Sequence, residues 1–138
     1  MFLTVFCLIL NTLTGEAEYC SAGHNPPLFR SNDGSLRFLD ASPGLLVGYE
    51  ENFRWESKEL HFKPGDIVFL YTDGVTEAEN SKQEQFSEER FRASLSTLQS
   101  NDLAEIVSAV RQDIARHTQG HPQSDDITLL ALRFNGAS

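Results

Sequence analysis

The chain has 138 residues, of which 40% are hydrophobic and 10% aromatic, so it is long and apolar enough for a hydrophobic core and is not disordered as a whole. Its 20 Asp and Glu residues against 11 Lys and Arg give a formal net charge of -9. That charge argues against nucleic acid as a partner, because phosphate backbones are bound by basic surfaces. The length predicts one domain, residues 1–138.

The first ten residues are apolar, but they predict neither a signal peptide nor a membrane span. A signal peptide carries Lys or Arg near its start, and the first basic residue of this chain is Arg30. The apolar run is also too short to cross a bilayer. We therefore interpret residues 2–10 as a buried strand and expect no membrane segment. With only two cysteines, Cys7 and Cys20, a reducing cytoplasm is the expected location.

Residues 2–10 and 16–21 are predicted to form a β-hairpin around the turn at residues 11–15. In that hairpin the numbers of facing residues sum to 27, so Cys7 and Cys20 are expected to be neighbours across the strands. Two reduced core cysteines are the favoured interpretation, and pairing between them stays open. A complete hairpin with no element before it is unusual. We therefore expect Met1 to be an internal methionine of a longer protein.

A second hairpin is predicted at residues 28–30 and 36–39, after two prolines that end the preceding strand. The loop at residues 41–48 carries three apolar residues, Leu45, Leu46 and Val47. Such residues suit a mobile flap or a partner contact, although folding back onto the core is the commoner arrangement. Residues 53–62 alternate well enough to predict a half-exposed strand.

The central element of the prediction is the uninterrupted apolar run at residues 67–71, which is typical of a strand buried on both faces. Two amphipathic helices follow, the first with Ser87 as its N-cap. Asp102 and Glu105 form a predicted capping box for the second, which is expected to stop near Gly120. A last strand at residues 127–134 is predicted to be too apolar to lie at the edge of a sheet.

Acidic residues follow or precede the ends of two predicted strands. Asp73 and Gly74 come directly after the buried strand, Glu77 is nearby, and the pair Asp125 and Asp126 opens the last strand. If those strand ends lie side by side, three or four carboxylates meet in a small volume. At neutral pH such a cluster requires a cation, because the like charges would otherwise raise the pKa values of the carboxyls.

Several simpler interpretations compete with a metal site. Asp-Gly after a strand is most often just a turn. An EF-hand is excluded because acids are missing at alternate positions before a glycine. A haloacid-dehalogenase type of phosphatase is also excluded, because Tyr71 stands where that class has its nucleophilic aspartate. A metal site built from separate segments remains.

Three motifs together resemble the bacterial PP2C-like serine phosphatases of the SpoIIE and RsbU type. They are residues 22–27 (AGHNPP), residues 64–66 leading into residues 71–78 (PGD and YTDGVTEA), and residues 124–130 (SDDITLL). The resemblance covers essentially the whole chain and corresponds to the larger, C-terminal part of that domain. It implies an α+β fold, a sandwich of antiparallel sheets flanked by helices and incomplete at its N-terminus. It also implies two manganese or magnesium ions held by aspartates at one edge.

The resemblance also implies roles for individual residues. Asp73, beside Gly74, matches a metal-ligand aspartate, and Asp125 matches the ligand near the C-terminus. Asp126 stands where relatives often have Asn, which places it next to the ligands. Glu77 matches an acid beside the site that serves a further, weaker metal. His24 is a candidate general acid for the leaving serine oxygen, although an imidazole beside two prolines also suits a role in bracing the turn.

One departure from the family pattern leaves two functions open. Relatives carry an earlier Asp-Gly or Asp-Val segment with Gly-His-Gly, which supplies a bridging aspartate, and nothing in this chain matches it. The first hypothesis is a metal-dependent serine/threonine protein phosphatase acting on a phosphorylated anti-sigma-factor antagonist in a partner-switching pathway. The alternative is a catalytically incomplete module that binds such a partner. Dimerisation or marginal stability of the isolated chain is also expected.

Overall fold

Seven strands form two antiparallel sheets in the computed structural model, which describes residues 1–41 and 44–137. The first sheet has the order β1-β2-β5 and consists of β1 (Val5–Leu10), β2 (Glu16–Ala22) and β5 (Lys58–His61). The second has the order β4-β3-β6-β7 and consists of β3 (Leu28–Arg30), β4 (Leu36–Phe38), β6 (Ile67–Tyr71) and β7 (Leu129–Arg133). The helices are α1 (Asp73–Thr76), α2 (Ser87–Ser96) and α3 (Leu103–Thr118).

Strand β6 lies at the centre of this arrangement and is buried on both faces, as predicted. Ile67, Phe69 and Tyr71 pack with apolar side chains of α2 and α3, including Phe91, Leu95, Ile106, Val110 and Ile114. Val68 points the other way, into a second cluster with Ala17, Tyr19, Phe29, Leu60 and Phe62. The layers are therefore sheet, sheet and helices, which confirms the predicted sandwich of antiparallel sheets flanked by helices.

The first hairpin has the predicted register, with Val5 opposite Ala22 and Cys7 opposite Cys20. The prediction of a buried first strand is wrong, because β1 is an edge strand that alternates between exposed and half-buried residues. Cys7 is exposed and Cys20 half-buried, so neither is a core cysteine. One face of β1, with Phe6, Leu8 and Leu10, packs against the second core cluster, and no described part of the chain covers the opposite face, so it is exposed to solvent although its residues are apolar.

The loop after β4 folds back instead of extending into solvent. Leu45, Leu46 and Val47 are half-buried, and the Trp55 indole N–H donates to the Leu45 carbonyl at 2.8 Å. The predicted strand at residues 53–62 is correct only from Lys58 onward, because the aromatic residues before it hold this loop. Ser42 and Pro43, which belong to the predicted loop, lie outside the described residues.

The helix boundaries largely follow their signals. Asp102 Oδ1 accepts a hydrogen bond from the Glu105 amide at 3.0 Å, which confirms the cap of α3. The Glu105 carboxylate accepts from the Ser100 hydroxyl at 2.5 Å, so the capping box is one-sided. The helix ends where predicted, at a left-handed Gln119 followed by Gly120. In α2 the Ser87 hydroxyl oxygen is 3.5 Å from the Arg90 amide nitrogen, which makes a weaker cap than predicted.

The prediction that the last strand cannot be an edge is also wrong. Within the described part of the chain β7 pairs with β6 alone, and Leu130 is 55% exposed. Strand β7 also begins two residues later than predicted, at Leu129. None of the described helices is both long and apolar enough to pass through a lipid bilayer.

The Asp66 carboxylate is a structural group at the start of β6. Asp66 is only 3% exposed, yet each of its oxygens has a donor. Oδ1 accepts from the Asn32 amide at 2.8 Å and Oδ2 from the Lys63 amide at 2.7 Å. This carboxylate therefore joins the turn before β6 to the turn between β3 and β4.

We expect Asp66→Ala to lower the free energy of unfolding by about 3 kcal/mol, because two backbone N–H groups lose a charged acceptor in a buried position. Urea unfolding measures the loss. Asp33→Ala is the matched control, since Asp33 is exposed and its side chain accepts from the Ser35 amide within its own turn. Equal losses in the two variants would contradict this role of Asp66.

Candidate active site

Hydrogen bonds from Thr72 join the end of β6 to the segment before β7. The Thr72 amide donates to the Thr128 carbonyl at 3.1 Å, and the Thr128 amide donates to Thr72 Oγ1 at 3.0 Å. The Thr72 hydroxyl in turn donates to the Asp126 carbonyl at 3.0 Å. The two strand ends that carry the predicted acids are therefore adjacent, as the sequence analysis required.

Gly74 allows these two segments to touch. It is buried, and a Cβ atom added to it would lie 2.1 Å from the Asp126 carbonyl oxygen. The requirement for glycine here is one of space, since the backbone of Asp126 occupies the position of a side chain. The close approach sets the distance between the Asp73 backbone and the pair at Asp125 and Asp126.

Asp73 and Glu77 lie at the two ends of one helical turn. The Asp73 carbonyl accepts from the Glu77 amide at 2.8 Å and from the Thr76 hydroxyl at 3.4 Å. Residues four apart on a helix share a side of it, so the two carboxylates are neighbours on one surface. Both residues are exposed. A simple turn at Asp-Gly was one of the competing interpretations of the sequence, and no helix was predicted here; the structure has the short helix α1 at this position.

Asp125 and Asp126 are exposed on the neighbouring segment. The Asp125 carboxylate accepts from the Asp126 amide at 2.8 Å, and the Asp125 carbonyl accepts from the Gln123 side-chain amide at 2.6 Å. These bonds hold the bend just before β7 through its backbone and through one carboxylate oxygen. The other carboxylate oxygens face solvent.

His24 lies near the same edge, just beyond the end of β2. Its ring is half-buried, with its centre 6.3 Å from that of Phe6, and the preceding Gly23 bridges to Val5. Burial lowers the pKa of the His24 imidazole, and the negative charge of Asp73 acts in the opposite direction. His24 and Asp73 are therefore within electrostatic reach of each other.

Two residues contribute to the site in ways that the sequence analysis missed. Thr72 belongs to the motif at residues 71–78, but no role was predicted for it. The available signal was a hydroxyl directly before Asp-Gly at the end of a strand. Tyr71 was assigned only to the core. Its hydroxyl donates to Glu88 Oε1 at 3.3 Å, which ties the end of β6 to the first turn of α2. Burial, and next the Glu88 charge, raise the pKa of Tyr71.

The donor set fits hard divalent cations, but its side chains are not arranged as a cage. Within residues 1–41 and 44–137, no three His, Cys, Asp or Glu side chains surround a point that would suit a metal ion. Carboxylate oxygens are nevertheless the ligands that Mg²⁺ and Mn²⁺ prefer, with waters completing the coordination. The structure thus brings the backbones of the acidic segments together, and the assignment of Asp73, Gly74, Glu77, Asp125 and Asp126 to a metal site stays a prediction.

We expect Gly74→Ala to push the two acidic segments apart, because the new Cβ meets a backbone carbonyl that has no side-chain freedom to yield. The cost should be about 1 to 3 kcal/mol of stability, as for overpacking elsewhere. Amide chemical shifts of Asp126 and Thr128 should change in NMR spectra. Gly34→Ala is the control, since an added Cβ there meets nothing within 4 Å and only its left-handed backbone is strained. Unchanged shifts at Asp126 in the Gly74 variant would contradict the proposed contact.

We expect the pKa of His24 to lie below the ordinary value of a histidine side chain in an NMR titration without metal ions. Asp73→Asn should lower it further, because the substitution removes the charge that favours the imidazolium. Since the folded-state pKa lies below the unfolded one, His24 should also destabilise the fold as the pH falls through the unfolded-state value. Asp33→Asn, at the far end of the second sheet, should leave the titration unchanged. If the titration midpoint of His24 stays the same in Asp73→Asn, the charge of Asp73 does not act on the His24 imidazole.

Comparisons with known proteins identify the family of this chain. The family model "Stage II sporulation protein E (SpoIIE)" matches residues 1–135. Protein IcfG of Synechocystis sp. is 33% identical over 135 residues, which cover 98% of this chain and 21% of IcfG. Phosphoserine phosphatase RsbU of Bacillus subtilis is 27% identical over 140 residues, which cover 96% of this chain and 39% of RsbU.

The fold also matches solved structures. The phosphatase domain of the cell fate determinant SpoIIE from Bacillus subtilis, in a crystal presoaked with Mn, superposes with a TM-score of 0.75 at 19% identity. The match covers 98% of this chain and 58% of that one. The chain spans about two fifths or less of the length of the curated relatives that it matches. By its family model, its relatives and its fold, the chain belongs to the SpoIIE family of PP2C-like serine phosphatase domains.

Proposed function

We propose that this chain is the larger, C-terminal part of a metal-dependent protein phosphatase domain that removes phosphate from serine or threonine. The observation that carries the proposal is the contact between the two acidic segments. Thr72 and Gly74 bring the backbones of Asp73 and Asp126 together at one exposed edge of the second sheet. The four acidic residues at that edge are exposed. Residues 1–138 are proposed to act as a single unit.

Asp73 and Asp125 are the proposed metal ligands, with Asp126 and Glu77 beside them. Bound Mn²⁺ or Mg²⁺ ions, two in the complete domain, would neutralise phosphate charge and lower the pKa of a bound water. The chain itself carries a net charge of -9, and its site presents carboxylates. A phosphate group would be repelled from this surface unless cations were bound. The relative presoaked with Mn supports the choice of metal.

His24 is the proposed proton donor to the leaving serine oxygen. The pKa of its imidazole is lowered by burial, and Asp73 partly offsets that effect. A group of this kind donates best on the acidic side of neutrality, where more of it is protonated. The same lowered pKa favours the alternative role, in which a neutral ring packs near Phe6 and braces the turn. A pH–rate profile distinguishes the two roles.

The proposed substrate is a phosphorylated anti-sigma-factor antagonist in a cytoplasmic partner-switching pathway. The proposal rests on the family and on the relatives RsbU and RsbP, whose names describe phosphoserine phosphatases. The chain spans 39% of the length of RsbU, so phosphoserine phosphatase activity is a proposal for this chain, which the assay below tests.

A second candidate function is that of an interaction module without catalysis. One observation favours it. Among the described residues, no three metal-binding side chains already surround a common point. Such a module would keep the fold and bind the same kind of partner.

The decisive assay is hydrolysis of a phosphoserine protein in the presence of Mn²⁺, with this chain and with a longer protein that includes any upstream coding sequence. Asp73→Asn should lower kcat roughly 100-fold or more in the active form, since even residues that only support a metal ligand contribute 10- to 100-fold. Its thermal midpoint should stay near that of the wild type. Asp33→Asn should keep full activity.

Two outcomes would overturn the assignment. Absence of turnover in both proteins would favour the interaction module. Full activity of Asp73→Asn would show that the metal ligands lie elsewhere. Calorimetric titration with Mn²⁺ separates loss of metal binding from loss of chemistry in the same variants.

A further inference from the structure

The first hairpin places the two cysteines of the chain directly opposite each other. Cys7 in β1 pairs with Cys20 in β2, and both thiols are free. Directly opposed residues in an antiparallel pair have Cα atoms roughly 4.5 to 5.5 Å apart. Disulfide-linked cysteines have Cα atoms about 4.4 to 6.8 Å apart. The backbone therefore already has the spacing that a disulfide needs.

Both thiols lie on the outward face of the first sheet. Val5, Cys7 and Ile9 are the exposed residues of β1, and the residues between them pack toward the second core cluster. On β2 the same face carries Glu16 and Glu18, which are exposed, and the half-buried Cys20. An oxidant dissolved in water thus reaches Cys7 without any opening of the fold, while Cys20 is the more protected partner.

We propose that Cys7 and Cys20 form a thiol pair that a low-molecular-weight disulfide oxidises reversibly to an intramolecular cross-strand disulfide. The Cys7 thiolate attacks one sulfur of the oxidant, which gives a mixed disulfide and releases the first small thiol. The Cys20 thiolate then attacks the Cys7 sulfur and releases the second small thiol. Two electrons pass from the cysteine pair to the oxidant, and the two cysteine protons end on the released thiols.

The hairpin favours this second step over competing reactions. The Cys20 backbone is held opposite that of Cys7 by a continuous ladder that runs from Val5–Ala22 to Leu10–Ala17, so attack within the chain needs no collision with a second molecule. Cys20 is half-buried, which disfavours its reaction with a bulky oxidant or with another chain. The pair is thus divided into an attacking and a resolving thiol.

The bond would stabilise a part of the fold that leads to the candidate site. It closes the stretch from residue 7 to residue 20 around the hairpin turn, which restricts the unfolded chain. It also ties edge strand β1 to β2, and Gly23 and His24 follow directly after β2. The oxidised chain should therefore melt at a temperature higher by roughly 5 °C or more.

The test is incubation of the purified chain with oxidised glutathione, followed by trapping of free thiols with N-ethylmaleimide and intact-mass measurement. We expect a monomer whose mass is lower by two hydrogens and which binds no maleimide. Peptide mapping should find residues 7 and 20 in one cross-linked species. Dithiothreitol should restore two reactive thiols and the lower melting temperature. Cys7→Ser and Cys20→Ser are the matched controls. Cys20→Ser keeps the exposed attacking thiol and should stop at the mixed disulfide, whereas Cys7→Ser keeps only the half-buried thiol and should react little with glutathione; neither should show a rise in melting temperature.

Three results would overturn the proposal. One is a wild-type chain that retains only mixed disulfides with glutathione. Another is a disulfide that joins two chains, visible as a dimer on a non-reducing gel. The third is an intramolecular bond that forms only under denaturing conditions, since this would show that the folded hairpin holds the thiols apart.

Discussion

The contact between the end of β6 and the segment before β7 is the constraint on which the candidate site depends. The Thr72 hydroxyl donates to one carbonyl and accepts from one amide across the gap, and Gly74 lies against the Asp126 backbone. Both interactions involve backbone atoms, so they fix positions irrespective of which side chains the acidic residues carry. The contacts of Thr72 and Gly74 thereby determine how close the backbones of Asp73 and Asp125 lie.

This contact is held in place by the layers around β6. Its side chains fill one core with the helices and another with the first sheet, so the strand has no free face along which to move. At one end the buried Asp66 carboxylate anchors the incoming turn, and at the other the Tyr71 hydroxyl meets Glu88 of α2. A strand secured at both ends is a rigid support for the acidic segment that follows it, and precise placement of side chains requires such a support.

Local signals predicted much of this fold. The apolar run of β6, the cap at Asp102 and the register of the first hairpin are all consequences of residues close in sequence, and all three are confirmed. The errors concern non-local neighbours. The apolar residues of β1 and β7 indicate strands, but which strand pairs with which edge depends on residues far along the chain. Phe53 and Trp55 have the alternation of a strand, yet the Trp55 indole N–H donates to the Leu45 carbonyl, and the strand begins only at Lys58.

For the candidate site, too, the sequence predicted local features and did not predict contacts between distant segments. The sequence was sufficient to place acidic residues at the ends of two strands, because strand ends follow from local patterns, but it left open whether those ends are adjacent. It was not sufficient to identify Thr72 as the residue that joins them, because that role exists only when β7 lies alongside. In the described residues the carboxylates themselves stay exposed and spread out, and their mutual repulsion opposes any closer arrangement.

That repulsion explains how a prearranged backbone and dispersed side chains belong to one site. Four acids on two touching segments raise the electrostatic cost of any conformation in which their oxygens converge, and a chain of net charge -9 adds to that cost. At the proposed metal site a divalent cation would reverse the sign of the interaction, so that binding of the ion and ordering of the carboxylates would be coupled steps. The fold therefore needs to supply only the short distance between the two segments. Thr72 supplies it by donating one hydrogen bond from its hydroxyl and accepting another, and Gly74 supplies it by lacking a Cβ atom. A cation cannot provide this approach of the two backbones.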